Sequence, residues 1–306
     1  MSTVTFLVHP QRPDALALAH DTADWLSSRH DTTRILRFSA PDVVTEDGIE
    51  CDVNAVDLKG TDVAVSLGGD GTFLRVVRLA WSNDVPVLGV NFGRVGYLPD
   101  LVPDQLRVAL NRLFDGKAVI ESRCALEAAI SSPSAEASGS ADSTAGPGDR
   151  SSGHGEFPYL ALNEVVLEKT VFGHTVRLAT SIDGEAVLTY SADGLLIASP
   201  TGSTAYNLSA GGPILAPTLR AMVVTPVAPH LSLDRSLVLT EDQVVSVVIA
   251  DDKAAAVVID GQEIGRFESG TTVTCRVANR PVRVVRNDPQ GFGGTIRVRL
   301  LADRDR

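Results

Sequence analysis

The sequence predicts two domains: an α/β domain with a parallel sheet, then a β-sandwich-like domain. Two observations carry this. From Thr3 to Asn91, β-prone runs alternate with helical patterns, the arrangement of a three-layer α/β fold. Beyond Gly116 the helical periodicity stops, and short strand-like runs follow one another with turn residues between them. We place the boundary near residue 99. That gives an α/β domain over 1–99 and a β-rich domain over 100–284, with the tail 285–306 a candidate to rejoin the first domain.

Thr3–Val8 is the first β-prone run. Pro13 and Asp14 are suited to a helix start, and Ala15, Leu18, Ala19 and Leu26 form an apolar stripe behind them. "TRILRF" (33–38) predicts a second strand. "DVAVSL" (62–67) predicts a third, and its near-continuous apolar character suits a strand buried on both faces. "TFLRVVRLAW" reads as a helix and "VPVLGVN" (85–91) as a fourth strand. "PDQLRVALNRLFDG" (103–116) is one more amphipathic helix. Among the later strand-like runs, "IDGEAV" predicts a hairpin turning at Asp183-Gly184.

Ser131–Pro158 is nearly devoid of large apolar side chains. It cannot offset the entropy of its own ordering, so a disordered insertion between two strands is expected over 131–158.

With 306 residues, 44% of them hydrophobic, the chain can bury a sizeable core. No apolar run reaches the roughly 18 residues of a membrane span, and the N-terminus reads as a strand rather than a signal peptide. Cys51, Cys124 and Cys275 are odd in number and far apart, as buried thiols in a reducing compartment would be. A cytoplasmic location is therefore expected, with no membrane partner. The formal net charge of −11 argues against nucleic acid as the main partner. A local site for a phosphorylated small molecule is still compatible with it.

The chemistry concentrates in two glycine-rich stretches. In "SLGGDGTFLR" (66–75), a buried-strand pattern runs into Gly68, Gly69, Asp70, Gly71 and Thr72, and a helical pattern follows. A turn at the C-terminal end of a parallel strand is where open α/β sheets bind ligands. Glycines let backbone N–H groups approach an anion, and the helix N-terminus adds positive potential. A carboxylate there repels phosphate unless it holds Mg²⁺ or takes a proton from an attacking hydroxyl. The plainer alternative is that Asp70 only caps the helix. The second stretch, "SADGLLIASPTGSTAYNLSAGGPIL" (191–215), crowds Thr201, Ser203, Thr204, Tyr206 and Ser209 between glycine-containing turns. Hydroxyls and amides at this density suit a ribose or a nucleobase edge, and Tyr206 suits a flat ring. A Gly/Ser-rich linker would not need the closing "SAGGP".

With these residues in view, the chain resembles the bacterial NAD kinase family, enzymes that phosphorylate NAD to NADP. The matching stretches are "GGDGTFLR" (68–75), "VLGVNFGRVGYL" (87–98), "ALNEVVLEK" (161–169), "DGLLIASPTGSTAYNLSAGGPI" (193–214), "TPVAPHLSLDR" (225–235) and "IDGQ" (259–262). Their order and spacing match over roughly 60–290. GGDGT alone is shared with lipid and sugar kinases, whereas the combination with NE and TGSTAY is specific. The fold implied is a Rossmann-like first domain of the NAD kinase/diacylglycerol kinase type.

The resemblance implies roles for individual residues. Asp70 resembles the catalytic base toward the adenosine ribose 2′-hydroxyl. Gly68, Gly69, Gly71 and Thr72 resemble the phosphate-facing turn for ATP, and Asp70, Gly71 and Arg75 lie where the family meets the dinucleotide. Asn163 and Glu164 resemble the pair that grips the adenosine moiety. His174 stands where relatives carry a basic contact, and Asp193 resembles a carboxylate that meets the nicotinamide side across a subunit interface. Thr204, Ala205, Tyr206, Asn207, Leu208 and Ser209 match the segment that holds adenine and ribose, and Gln262 matches a late polar contact. Without the resemblance, His174, Glu164 and Arg75 would read as surface residues. No protein metal site is implied, and Mg²⁺ is expected to arrive with ATP. NAD and either ATP or polyphosphate are the implied ligands, and a homodimer or homotetramer the implied assembly. The alternatives are a lipid or sphingoid kinase of the same superfamily and a non-catalytic dinucleotide sensor.

Overall fold

The computed structural model describes residues 1–40, 43–93, 98–133, 157–230, 233–286 and 293–294. It divides into two compact units, Met1–Ser122 with Val282–Arg306, and Arg123–Pro281.

The first unit is built on one mixed sheet. Its strands are β1 (Thr3–Val8), β2 (Thr32–Ala40), β3 (Val43–Glu46), β4 (Ile49–Asp52), β5 (Val63–Gly68), β6 (Val87–Asn91), β7 (Val119–Arg123) and, from the far end of the sequence, β20 (Val282–Arg286). The spatial order is β4-β3-β2-β1-β5-β6-β20-β7. β2, β1, β5, β6 and β20 run parallel, while β3 and β4 add an antiparallel hairpin at one edge. β5 is buried along its whole length, as the continuous apolar run predicts. One face of the sheet packs Val4, Phe6, Val65, Leu67 and Leu88 against α1 (Pro13–Ser27) and α3 (Leu106–Phe114). The other face is covered by α2 (Asp70–Ser82), whose Phe73 ring lies against Gly89. From β1 the chain crosses to β2 on one side and returns to β5 on the other. The carboxyl ends of β1 and β5 therefore flank a topological switch point, where crossovers diverge and open a crevice.

The second unit is an antiparallel sandwich, as the spacing of short strands predicts. One sheet has the order β15-β14-β13-β10-β17-β18: β15 (Leu237–Thr240), β14 (Ala221–Val227), β13 (Gly194–Ala198), β10 (Glu164–Lys169), β17 (Ala255–Ile259) and β18 (Gln262–Phe267). The other has the order β12-β11-β16-β19-β8-β9: β12 (Glu185–Ala192), β11 (Val176–Ile182), β16 (Val244–Ile249), β19 (Thr272–Val277), β8 (Leu126–Ser131) and β9 (Tyr159–Ala161). Val165, Leu167, Leu195, Ile197 and Val257 from the first meet Leu178, Val245, Val247, Val273 and Cys275 from the second. β16 and β19 alternate buried and half-buried residues, the pattern of a strand with one face on a core. The β11–β12 hairpin turns at Asp183-Gly184, both at positive φ.

One expectation is corrected. The units divide at Ser122/Arg123 rather than near residue 99, because α3 packs on the first sheet and β7 lies at its edge. The parallel sheet of the first unit is as expected, with one addition: a tight turn at Asp47-Gly48, both at positive φ, folds β3 and β4 into an edge hairpin. β20 (Val282–Arg286), most of which was expected in the second domain, pairs in the sheet of the first unit. Residues 134–156 of the expected disordered insertion lie outside the described residues. So do residues 94–97 of the 87–98 stretch and most of the tail beyond Arg286. Among the described residues, no helix is long and apolar enough to cross a membrane.

Candidate active site

In the first unit, β5 ends at Gly68 and α2 begins at Asp70, leaving Gly69 as the only connecting residue. Gly68 is required by packing: a Cβ there would sit 2.4 Å from Thr72 Oγ1 and 2.7 Å from Thr72 Cβ. Gly69 and Gly71 are different. No described atom lies within 4 Å of where their Cβ atoms would be, and neither has positive φ. The chain's own geometry therefore does not demand glycine at either position.

Asp70 is the first residue of α2, and no side chain caps the helix. Its Oδ1 accepts instead from the Leu98 N–H at 3.2 Å, tying the turn to the segment after β6. The Phe92 N–H donates to the Gly68 carbonyl at 3.0 Å and draws the end of β6 to the same place. The Asp70 carboxylate thus joins the head of α2 to a second segment as well as standing in the helix's first turn. His9 follows β1 at the same end of the sheet, its N–H donating to Leu67 at 3.0 Å. Burial, then the charges of Arg12 and Arg75, lower its pKa. The Arg75 guanidinium stacks on the Phe38 ring of β2, 3.9 Å from the centroid. It is thus seated on an aromatic face, not on a solvated helix face.

In the second unit the counterpart is the bend Leu162–Glu164 between β9 and β10. The Asp260 carboxylate accepts from the N–H groups of Leu162 (2.8 Å), Asn163 (2.7 Å) and Glu164 (3.2 Å). On another side the Asn163 carbonyl accepts from the Ser199 N–H at 2.8 Å, and the Ser199 hydroxyl donates to the Leu162 carbonyl. Gly202 presses on the same backbone. Glu164 is 7% exposed, and its Oε2 has no partner among the described residues. Burial, reinforced by the Asp260 charge, pushes its pKa up to about 8, against the opposing hydrogen bond from the Tyr206 backbone.

The hydroxyl-rich stretch divides into pins and presented groups. Ser203 Oγ donates to the Pro200 carbonyl at 2.6 Å and accepts from the Leu215 N–H at 2.9 Å. Thr204 Oγ1 donates to the Thr201 carbonyl at 3.3 Å. Asn207 is fully buried: its amide donates to the Ser203 and Pro213 carbonyls, and its Oδ1 accepts from Thr225 at 2.7 Å. Those bonds use both donors of that side chain. It holds the loop closed. Tyr206 and Ser209, in the helical turn Tyr206–Ser209, are exposed, and Ala205 and Leu208 are half-buried beside them. Burial, then the carboxylates of Glu168, Asp193 and Glu164, raise the Tyr206 phenol pKa.

The fold thus joins Asn163, Glu164 and the 204–209 segment. Asp193 sits at the opposite end of β10, its Oδ1 2.6 Å from Lys169 Nζ. His174 is exposed beyond that end, with Nδ1 3.2 Å from Lys253 Nζ. Gln262 begins β18 and pairs with Ile259, directly after the Asp260 turn. The residues that sequence reasoning missed are Asp260, Ser199 and Lys169. Asp260 had a signal, the Asp-Gly hairpin pair within "IDGQ". The other two lie inside the matching stretches 193–214 and 161–169, where nothing about their residue type set them apart.

A glycine–aspartate turn at the switch point of an α/β sheet, in a chain that also carries a sandwich with a pinned polar loop, is the build of a two-domain phosphotransferase. Family profiles refine that class. The ATP-NAD kinase N-terminal domain matches residues 4–118 and the ATP-NAD kinase C-terminal domain matches residues 162–287. The chain is 36% identical over 305 residues to the NAD kinase of Heliobacterium modesticaldum, covering 99% of this chain and 100% of that protein. It is 42% identical over 250 residues to the NAD kinase of Gemmatimonas aurantiaca, covering 80% of each. This chain is an enzyme of the NAD kinase family. Two solved structures share its fold. One is a yeast NADH kinase complexed with NADH, with TM-score 0.73 and 23% identity, covering 99% of this chain and 88% of that one. The other is an Archaeoglobus fulgidus NAD kinase in complex with ATP, with TM-score 0.68 and 22% identity, covering 96% and 98%. The match of both family domains sets aside the lipid-kinase alternative.

Proposed function

We propose that the enzyme transfers the γ-phosphoryl group of ATP to the 2′-hydroxyl of the adenosine ribose of NAD, giving NADP and ADP. The observation that carries this is the Asp70 turn. A carboxylate stands at the switch point between two glycines that the fold does not require. Glycine in a first helical turn costs up to about 1 kcal/mol against alanine. Close approach of a phosphate chain to the backbone accounts for accepting that cost.

Asp70 acts as general base. It takes the proton of the ribose hydroxyl as the new O–P bond forms, and the bond from the γ-phosphorus to its bridging oxygen breaks to release ADP. Among the described residues no three acidic, histidine or cysteine side chains cluster as a metal cage. In this reading Mg²⁺ arrives on the donor's phosphates, and Asp70 is the carboxylate of the turn that would face it. When bound there, Mg²⁺ would neutralise phosphate charge. Asn163, Glu164 and Tyr206 bind the dinucleotide. A Glu164 carboxyl that keeps its proton at neutral pH adds no negative charge beside an anionic ligand, and its Oε2 is left to hydrogen-bond it. We read the working assembly as a homo-oligomer in the cytoplasm, with Asp193 serving a neighbouring subunit.

The test is formation of NADP from NAD and Mg·ATP by the purified chain, with ADP released in equal amount. Parallel reactions with NADH and with polyphosphate define acceptor and donor. A chain that binds NAD but forms no NADP with either donor is a sensor, and the proposal is wrong.

A further inference from the structure

Asp260 lies far in sequence from the Leu162–Glu164 bend, yet four hydrogen bonds join them. Three are the N–H groups its carboxylate accepts. The fourth is its own N–H, which donates to the Glu164 carbonyl at 3.0 Å. Asp260 sits at φ 48° and Gly261 at φ 77°, the two-residue turn between β17 and β18. A hairpin of this kind can be closed by many Asx-Gly pairs, and closing it does not require the side chain to reach another strand pair. Here the side chain reaches the backbone of another bend.

We propose that Asp260 is a positioning residue for dinucleotide binding, its carboxylate fixing the backbone from which Asn163 and Glu164 project. This rests on the reading that Asn163 and Glu164 hold the dinucleotide. Asp260 also acts through its charge. Glu164 faces Asp260 from the β17–β18 turn and the Tyr206 N–H from the helical turn. Along β10 lie Glu168 and the Lys169–Asp193 pair. Burial is the larger cause of the raised Glu164 pKa, and Asp260 is the second. Removing the Asp260 charge therefore lets Glu164 ionise at lower pH.

Asp260→Ala would strand three amides and endanger the fold. Asp260→Asn is the informative variant, because asparagine tolerates positive φ and its Oδ1 still accepts from Asn163 and Glu164. Its amide nitrogen faces the Leu162 N–H, so one bond is lost along with the charge. With a thermal melt confirming the fold, the dinucleotide KM should rise by about tenfold, the scale of one lost hydrogen bond. The KM for ATP and kcat should stay within about twofold. The pH profile of kcat/KM for the dinucleotide should show an inflection near 8 in the wild type. That inflection should move to lower pH in Asp260→Asn and vanish in Glu164→Gln. If Asn163→Ala and Glu164→Gln weaken dinucleotide binding while Asp260→Asn leaves both KM and inflection unchanged, the positioning role is refuted and the site stands. If Asn163→Ala and Glu164→Gln leave binding intact, the site reading fails and the positioning role with it. A wild-type profile flat between pH 7 and 9 also overturns the charge role.

Discussion

Gly202 lies so close to Asn163 that a Cβ on Gly202 would sit 2.1 Å from the Asn163 carbonyl oxygen and 2.5 Å from its carbonyl carbon. Both obstructing atoms are backbone, so no rotamer change relieves the contact. Gly202→Ala must push the 202–204 turn off the Leu162–Glu164 bend, straining the Ser199 bonds to the same backbone. We expect a loss of roughly 1–3 kcal/mol of stability, the range for overpacking, and a raised dinucleotide KM in the protein that still folds. A thermal melt and steady-state kinetics check both. An unaltered melting temperature would show that the bend is not held from this side.

The three glycines of the Asp70 turn should separate into two kinds. Gly68→Ala meets the body of Thr72, which is 5% exposed and cannot swing away. It should destabilise by about 1–3 kcal/mol. Gly71→Ala meets open space and gains helix propensity, so the fold should be as stable as the wild type or slightly more so. Its cost should appear in the KM for ATP. Chemical denaturation alongside donor kinetics reads the contrast. If Gly71→Ala leaves the KM for ATP unchanged, phosphate does not approach the backbone there.

Asp70→Asn keeps an oxygen that can accept from the Leu98 N–H, so the fold should survive. The amide cannot take the ribose proton. We expect kcat to fall by roughly 10²–10⁴, the scale of a lost general base, with NAD and ATP affinities held. Calorimetric titration and turnover measured on the same preparation give the answer. Near wild-type turnover would leave Asp70 as only the anchor of the segment after β6.

Glu164 makes stability depend on pH in a direction opposite to most carboxylates. Its pKa in the folded protein, about 8, lies above its ordinary value of 4.5. Between those two values the unfolded chain has released the proton while the folded chain retains it. The stabilisation is complete below about 4.5, is lost as pH rises, and has disappeared once pH passes 8. Glu164→Gln removes this dependence. The stability of Glu164→Gln minus that of the wild type should therefore climb from pH 5 to 8, by at most about 1.4 kcal/mol per unit, then level off. Denaturant titrations of the two proteins across that range check the slope. A constant difference would mean that Glu164 is ionised in the folded protein.

Much of this protein was legible in the sequence because the signals are local. The apolar run at 63–67, the Asp183-Gly184 turn and the succession of short strands each depend on neighbours a few residues away. Those local features led to β5, the β11–β12 hairpin and the sandwich. The motif residues Asp70, Glu164 and Tyr206 were likewise legible, through resemblance. What only the tertiary structure decided concerns partners distant along the chain. Periodicity carries no information about which strand a C-terminal run will join, so the place of β20 beside β6 was not readable as a pairing. Nor could composition distinguish Asn207, whose amide is spent on Ser203, Pro213 and Thr225, from an asparagine offered to a ligand. Asp260 is the clearest case. In sequence it is half of a hairpin turn, and only when β17 pairs with β10 does its carboxylate arrive at three amides nearly a hundred positions earlier. Side-chain chemistry sets what a residue can bind, but burial and long-range pairing decide whether the protein itself uses that capacity first.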